Sequence, residues 1–187
     1  IIAIHYVSKD YGGMVEDTSF PHFGWFFSQI IFSLACPLVN CYILISGYFL
    51  INRKSFSLRK SIDLLLITIF YGLIGYGIGL LTETASFSFK ELFFSIVPFF
   101  AGRRWFVETY LILILLLPYI NKLLQNLNKQ GFQILLLIQI ILFSVWYSIG
   151  MSSPVLDDGY GIMNFVTLYF LGAYYKLYGE ASITKVA

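Results

Sequence analysis

Residues 24–60 read GWFFSQIIFSLACPLVNCYILISGYFL, followed at once by INRKSFSLRK. The first part is an apolar run long enough to cross a bilayer, which takes about 20 residues. Arg53, Lys54, Arg59 and Lys60 come directly after it. Cations clustered beside an apolar span mark its cytoplasmic end. Ser46-Gly47-Tyr48-Phe49, at the join between span and loop, is the most distinctive signature in the chain.

Composition agrees with a lipid solvent. The chain has 187 residues, 58% hydrophobic and only 12% charged, with 19 Phe and 14 Tyr. Soluble domains carry about 25% charged residues. Mean hydropathy is +0.79. A net charge of +2 gives nucleic acid nothing to bind. Cys36 and Cys41 lie on different faces of one apolar helix, so they read as reduced filler, neither a disulfide nor a metal site.

Outward from this span, five more follow the same pattern. The chain opens IIAIHYVSKD, with too few apolar residues before Lys9 to cross. It lacks the basic start and cleavage site of a signal peptide. This opening reads as the second half of a membrane helix, so the chain is expected to be a fragment. After 24–50 come 61–82, 104–121, 132–149 and 161–178. Segment 91–101, interrupted by Pro98, is too short to cross and reads as interfacial or re-entrant. The expected fold is all-α: a polytopic transmembrane bundle of about six membrane helices, the first truncated, plus a short interfacial helix.

With the 51–60 loop inside, the loops alternate. Arg53, Lys54, Arg59, Lys60, Lys122, Lys129, Lys176 and Lys185 fall inside; Lys9, Lys90, Arg103 and Arg104 fall outside. Eight cations against four is the positive-inside bias. Loops 9–23 and 83–103 are then external. Trp25, Trp105 and Trp146 all fall near outer helix ends, where amphipathic rings prefer to sit. The chain is expected to be a multi-pass cell-membrane protein with lipid around it.

Within the spans, small and polar residues pick out packing faces. Gly72, Gly75 and Gly79 share a face, and Gly75–Gly79 is a GxxxG pair suited to close helix packing. Ser33, Cys36, Asn40 and Gly47 form a polar or small stripe expected to face the interior. Asn40 then either hydrogen-bonds structurally or lines a substrate cavity. Pro118 is expected to kink its helix, and Gln139 is another interior candidate. Ionisable groups in a membrane are costly to bury. Arg104 and Glu108 are four apart on one helix face and can pair. His5 reads either as a structural histidine or as a general base, since a neutral imidazole takes and returns a proton near neutral pH. The 53–60 cations read either as the topological signal alone or as a phosphate site.

Four pieces, in order, resemble membrane-bound acyltransferase family 3, the group that includes bacterial polysaccharide and nodulation-factor O-acetyltransferases. They are IAIHY ending the first helix, ILISGYFLINRKSFSLRK, RRWFVETYLILILLLPYINKLL and FVTLYFLGAYYKLY. The resemblance implies a bundle of about ten membrane helices, of which residues 1–187 would be a single domain incomplete at both ends. It implies transfer of an acyl group, usually acetyl, from cytoplasmic acyl-CoA to a hydroxyl of a surface glycan or lipid-linked precursor. The family's histidine maps onto His5, as general base or covalent carrier. Its basic motif maps onto Arg53–Lys60, although the usual R-x-x-R is absent here. Under this reading the phosphates of acetyl-CoA lie near Arg53, Lys54, Arg59 and Lys60. The thioester passes Ser46 and Gly47, where the missing side chain leaves room. Asn40, Arg104, Trp105 and Glu108 shape the acceptor side. No metal is implied. Two rivals are a non-enzymatic glycan transporter or flippase, and an inactive truncated remnant.

Overall fold

The computed structural model describes residues 23–35, 37–55, 58–97, 105–146, 149 and 161–179. Pro37 divides the first described span. It has no N–H to give a helix, and it stands as the turn residue from which the next helix starts. The expected 24–50 helix is accordingly two, α1 (Phe23–Ala35) and α2 (Leu38–Leu50). After the basic loop, α3 spans Leu58–Leu81 and the short α4 spans Phe89–Ile96. Next come α5 (Trp105–Asn126) and α6 (Lys129–Ile140), the latter continued by a wide-turn segment, Ile141–Val145. Last is α7 (Ile162–Tyr174), continued by wide turns over Tyr175–Gly179. The described residues are all-helical, with no strand among them.

Among the described residues three stretches are long and apolar enough to cross a membrane: Phe23–Leu50 taken through the Pro37 break, Ser61–Leu81 and Trp105–Asn126. α6 and α7 run 12 and 13 residues before their turns widen, which is short of a full crossing as regular helix. The first of the six expected spans lies outside the described residues. α4, with eight residues, is too short to cross and covers part of the 91–101 segment, whose last residues lie outside the described ones. It packs on α3. The loop between them is pinned at Tyr76, whose hydroxyl donates to the Ser88 carbonyl and accepts from the Ser88 N–H at 2.8 Å.

The spans carry apolar side chains outward. Leu66, Ile67, Phe70, Tyr71 and Ile78 of α3 are all more than half exposed. A helix apolar all round is a membrane span or the core of a larger assembly. α5 does have a packed stripe, because Leu113, Leu117, Asn121 and Leu124 recur at helical spacing and are buried. α5 continues through Pro118 as one helix.

α7 is the hub, packing against α2, α5 and α6. α2, α5 and α7 run in the same direction. At one end Tyr42 meets Phe106, and Phe106 meets Phe165. At the other end Gln125 reaches Ile51, and Tyr178 donates to the Leu127 carbonyl. A short turn capped by Asn128, whose side chain accepts from Gly131 N–H, sends α6 back antiparallel. Phe132 of α6 then packs edge-on against Phe170, Tyr174 and Tyr178.

The closest helix crossing is α2 on α7. A β-carbon added at Gly47 would run into the carbonyl oxygen of Tyr169 and stand 2.9 Å from its carbonyl carbon. One added at Gly172 would run into the Leu44 carbonyl oxygen and stand 3.0 Å from Tyr48 N. Two glycines, one from each helix, therefore let the backbones touch. The sequence pointed instead to the GxxxG pair of α3. Gly75 faces open space, and a β-carbon on Gly79 would meet only Ala85 and Thr84 of the following loop. That pair joins no second helix among the described residues.

Gly47→Ala and Gly172→Ala are each expected to lower stability by about 1–3 kcal/mol, the usual result of overpacking. Gly75→Ala is expected to be neutral or better, since alanine is the stronger helix former. Thermal unfolding of the detergent-solubilised variants checks both directions.

Candidate functional site

Polar and aromatic side chains gather at two levels along α2, α5 and α7, one on each side of the glycine crossing. On the first level, Ser46 is buried and its Oγ donates to the Tyr42 carbonyl at 2.9 Å. That Oγ also lies 3.4 Å from the Tyr110 hydroxyl, and Tyr42 makes an equally long contact with Tyr110. The rings close the group: Phe106 stacks on Tyr110, and Trp105 packs edge-on against Phe165. This level combines three hydroxyls with flat apolar surfaces.

The second level lies where α2 runs out. The last carbonyls of a helix have no partner within it. Here α5 supplies the donors. Asn121 Nδ2 donates to the carbonyls of Leu50 at 2.8 Å and Arg53 at 2.9 Å. Gln125 Nε2 donates to the Ile51 carbonyl at 2.7 Å. Tyr169 of α7 donates its hydroxyl to Asn121 Oδ1 at 2.7 Å. Three elements are thus tied at one amide that is 2% exposed.

Beside this knot, Lys176 Nζ lies 4.6 Å from the centre of the Tyr48 ring and donates to the Tyr48 hydroxyl at 3.3 Å. Arg53, Lys54 and Arg59 are exposed. Lys176 therefore joins Arg53 and Lys54 at the end where α2, α5 and α7 all finish. Helix C-termini favour cations, because the backbone dipole leaves partial negative charge there.

The residues singled out from sequence are distributed unevenly. Ser46 and Gly47 lie at the crossing, and the room expected beside Gly47 is filled by the Tyr169 backbone. Asn40 is exposed among the described residues, one turn past Pro37. Ser33, on the same stripe, is exposed as well. Cys41 is a free, exposed thiol, not buried filler, and Cys36 lies outside the described residues. Trp105 opens α5 and is half-buried against Phe165. Glu108 Oε1 is buried with no hydrogen-bond partner among the described residues, and so is Gln139 Oε1. The second of these agrees with an interior Gln139. His5 and Arg104 lie outside the described residues, as does the side chain of Lys60.

Asn121, Gln125, Tyr169, Tyr110 and Lys176 were not picked as site residues from sequence. For the two amides a signal was present. Leu113, Leu117, Asn121 and Gln125 follow at intervals of four, so polar groups interrupt an apolar stripe at helical spacing. Tyr169 and Tyr110 gave no such signal among 14 tyrosines.

A family model described as an acyltransferase domain matches residues 1–186. No curated protein and no solved structure matches the chain.

Tyr169→Phe keeps the core ring and removes one hydroxyl, leaving Asn121 Oδ1 buried without its donor. The expected loss is about 1–2 kcal/mol, read as a lowered melting temperature with the helical circular-dichroism spectrum unchanged.

Proposed function

The chain belongs to acyltransferase family 3, and from that premise we propose that it is an integral-membrane O-acyltransferase. It moves an acetyl or other acyl group from cytoplasmic acyl-CoA to a hydroxyl of a cell-surface polysaccharide or its lipid-linked precursor. The family supplies acyltransferase activity in general and the apolar helices a membrane setting. The observation that carries the rest is the gathering of Arg53, Lys54 and Lys176 at the shared C-terminal end of α2, α5 and α7. By the positive-inside bias that end is cytoplasmic, with 51–60 inside and 83–103 outside. Cations there suit the phosphates of a CoA ester.

In this reading the bundle crosses the membrane about six times, counting the helix that carries His5. The His5 imidazole takes the proton of the acceptor hydroxyl as its oxygen attacks the thioester carbonyl. The ester C–O bond forms and the C–S bond breaks. The proton passes from the imidazolium to the departing CoA thiolate. Trp105 and the neighbouring Phe106, both only partly buried, supply flat surfaces of the kind sugars stack on. Glu108, with a buried oxygen that has no partner among the described residues, supplies an acceptor for a sugar hydroxyl.

His5→Ala in the full-length protein is expected to lower acetyl-CoA-dependent labelling of surface glycan by about 10²-fold or more, the usual worth of a general base. Labelling that persists in the variant at normal expression overturns the assignment of His5. Labelling that is absent even from the unaltered protein, while glycan export depends on it, favours a transporter.

A further inference from the structure

The knot at Asn121 does something besides hold helices together. Its Nδ2 bridges two carbonyls three residues apart, Leu50 and Arg53. Between the same two residues, Arg53 N–H donates to the Leu50 carbonyl at 2.9 Å, closing a turn. Gln125 holds the intervening carbonyl of Ile51. Every carbonyl from Leu50 to Arg53 except that of Asn52 is therefore tied to another group, and Ile51 itself is fully buried. Immediately beyond, Arg53 and Lys54 are exposed. The backbone that carries the two cations is fixed by α5, and their side chains are left in solvent.

The amide has one working orientation. Its oxygen is occupied by a donor, the Tyr169 hydroxyl. Its nitrogen must then face the carbonyls, since an amide offers acceptors on one side and donors on the other. Tyr169 in turn belongs to α7, whose backbone meets Gly47. The glycine crossing, the tyrosine and the amide form one chain of contacts ending at the Arg53–Lys54 backbone.

We propose that Asn121, oriented by Tyr169, is a positioning residue for the acyl donor: it pre-forms the Leu50–Arg53 turn that presents Arg53 and Lys54 to the phosphates of acyl-CoA. This rests on the reading above, that the donor binds at this loop. The physical advantage is that a loop ordered beforehand loses less conformational freedom on binding. Asn121 touches no ligand itself.

The test is equilibrium binding of radiolabelled acetyl-CoA to membranes carrying the full-length protein, with Kd and the number of sites per folded protein measured separately. Asn121→Asp turns the carbonyl-facing donor into an acceptor at nearly constant volume. It is expected to raise Kd about tenfold, the equivalent of freeing one or two backbone residues, with the number of sites unchanged. An unchanged Kd overturns the proposal, and so does a loss of sites without a change of Kd, which is the mark of a merely structural amide. Should Asn121→Asp yield no folded protein, Tyr169→Phe decides. It leaves Asn121 in place and only frees it to turn, so Kd should rise about threefold, and an unchanged Kd overturns the proposal. The double variant Arg53→Ala/Lys54→Ala tests the underlying reading separately. If it binds acetyl-CoA as tightly as the unaltered protein, the donor site lies elsewhere and both readings fall. If it weakens binding and Asn121→Asp does not, only the positioning role falls.

Discussion

The contact on which the described structure depends is the one between the backbones of α2 and α7. In lipid there is no hydrophobic force pulling two apolar helices together, so close packing and hydrogen bonds must do it. Gly47 and Gly172 provide the packing, each opening space for a carbonyl of the other helix. Side chains next to them are then placed in opposite directions along the bundle. Ser46 is carried toward Tyr110, and Tyr48 is carried under Lys176. The Ser46-Gly47-Tyr48-Phe49 signature is in this light a helix joint. Its glycine is needed by the neighbouring backbone, which leaves no vacant neck for a ligand.

The amide knot compensates for a weakness that this joint creates. α2 is only 13 residues long and ends inside the structure, just where the polar loop begins. Its last carbonyls would be costly to leave unpaired away from water. Asn121 and Gln125 satisfy three carbonyls from the next helix and so bind the loop to α5. The remaining charge follows simple electrostatics. Three parallel helices finish together, and Lys176, Arg53 and Lys54 collect where their dipoles are negative. The Lys176 ammonium rests on the face of the Tyr48 ring, an arrangement worth about 0.5–2 kcal/mol.

Much of this was legible in the sequence, and the rest failed for definite reasons. Helix type and approximate position followed from apolar runs, because in a membrane every backbone group must be satisfied within its own segment. The Pro37 break was written in the residue itself, yet the continuous apolar run around it masked the division. The GxxxG of α3 and the single Gly47 looked like unequal evidence, with the pair the stronger. A small residue shows only that a close approach is permitted, and the partner helix decides where it happens. That partner's glycine, Gly172, lies 125 positions away. Ser33 and Asn40 of the expected polar stripe are exposed, and Gly47 of the same stripe is buried. His5 and Arg104, on which much of the chemistry rests, lie outside the described residues, so their expected roles stand on sequence and family alone.

The filled space beside Gly47 also constrains any route for a donor. α2 has a closed side and an open side. Ile43, Ser46 and Gly47 are buried against α7 and α5, whereas Leu38, Tyr42, Ile45 and Phe49 recur at helical spacing and are exposed. Nothing can run between α2 and α7 at the crossing, where the two backbones are in contact. The open side, along Phe49 and Ile45, is apolar and leads to Tyr42. There the Tyr42 and Tyr110 hydroxyls lie together beside Ser46. The joint thus closes one side of α2, and the hydroxyl cluster stands at the end of its open side.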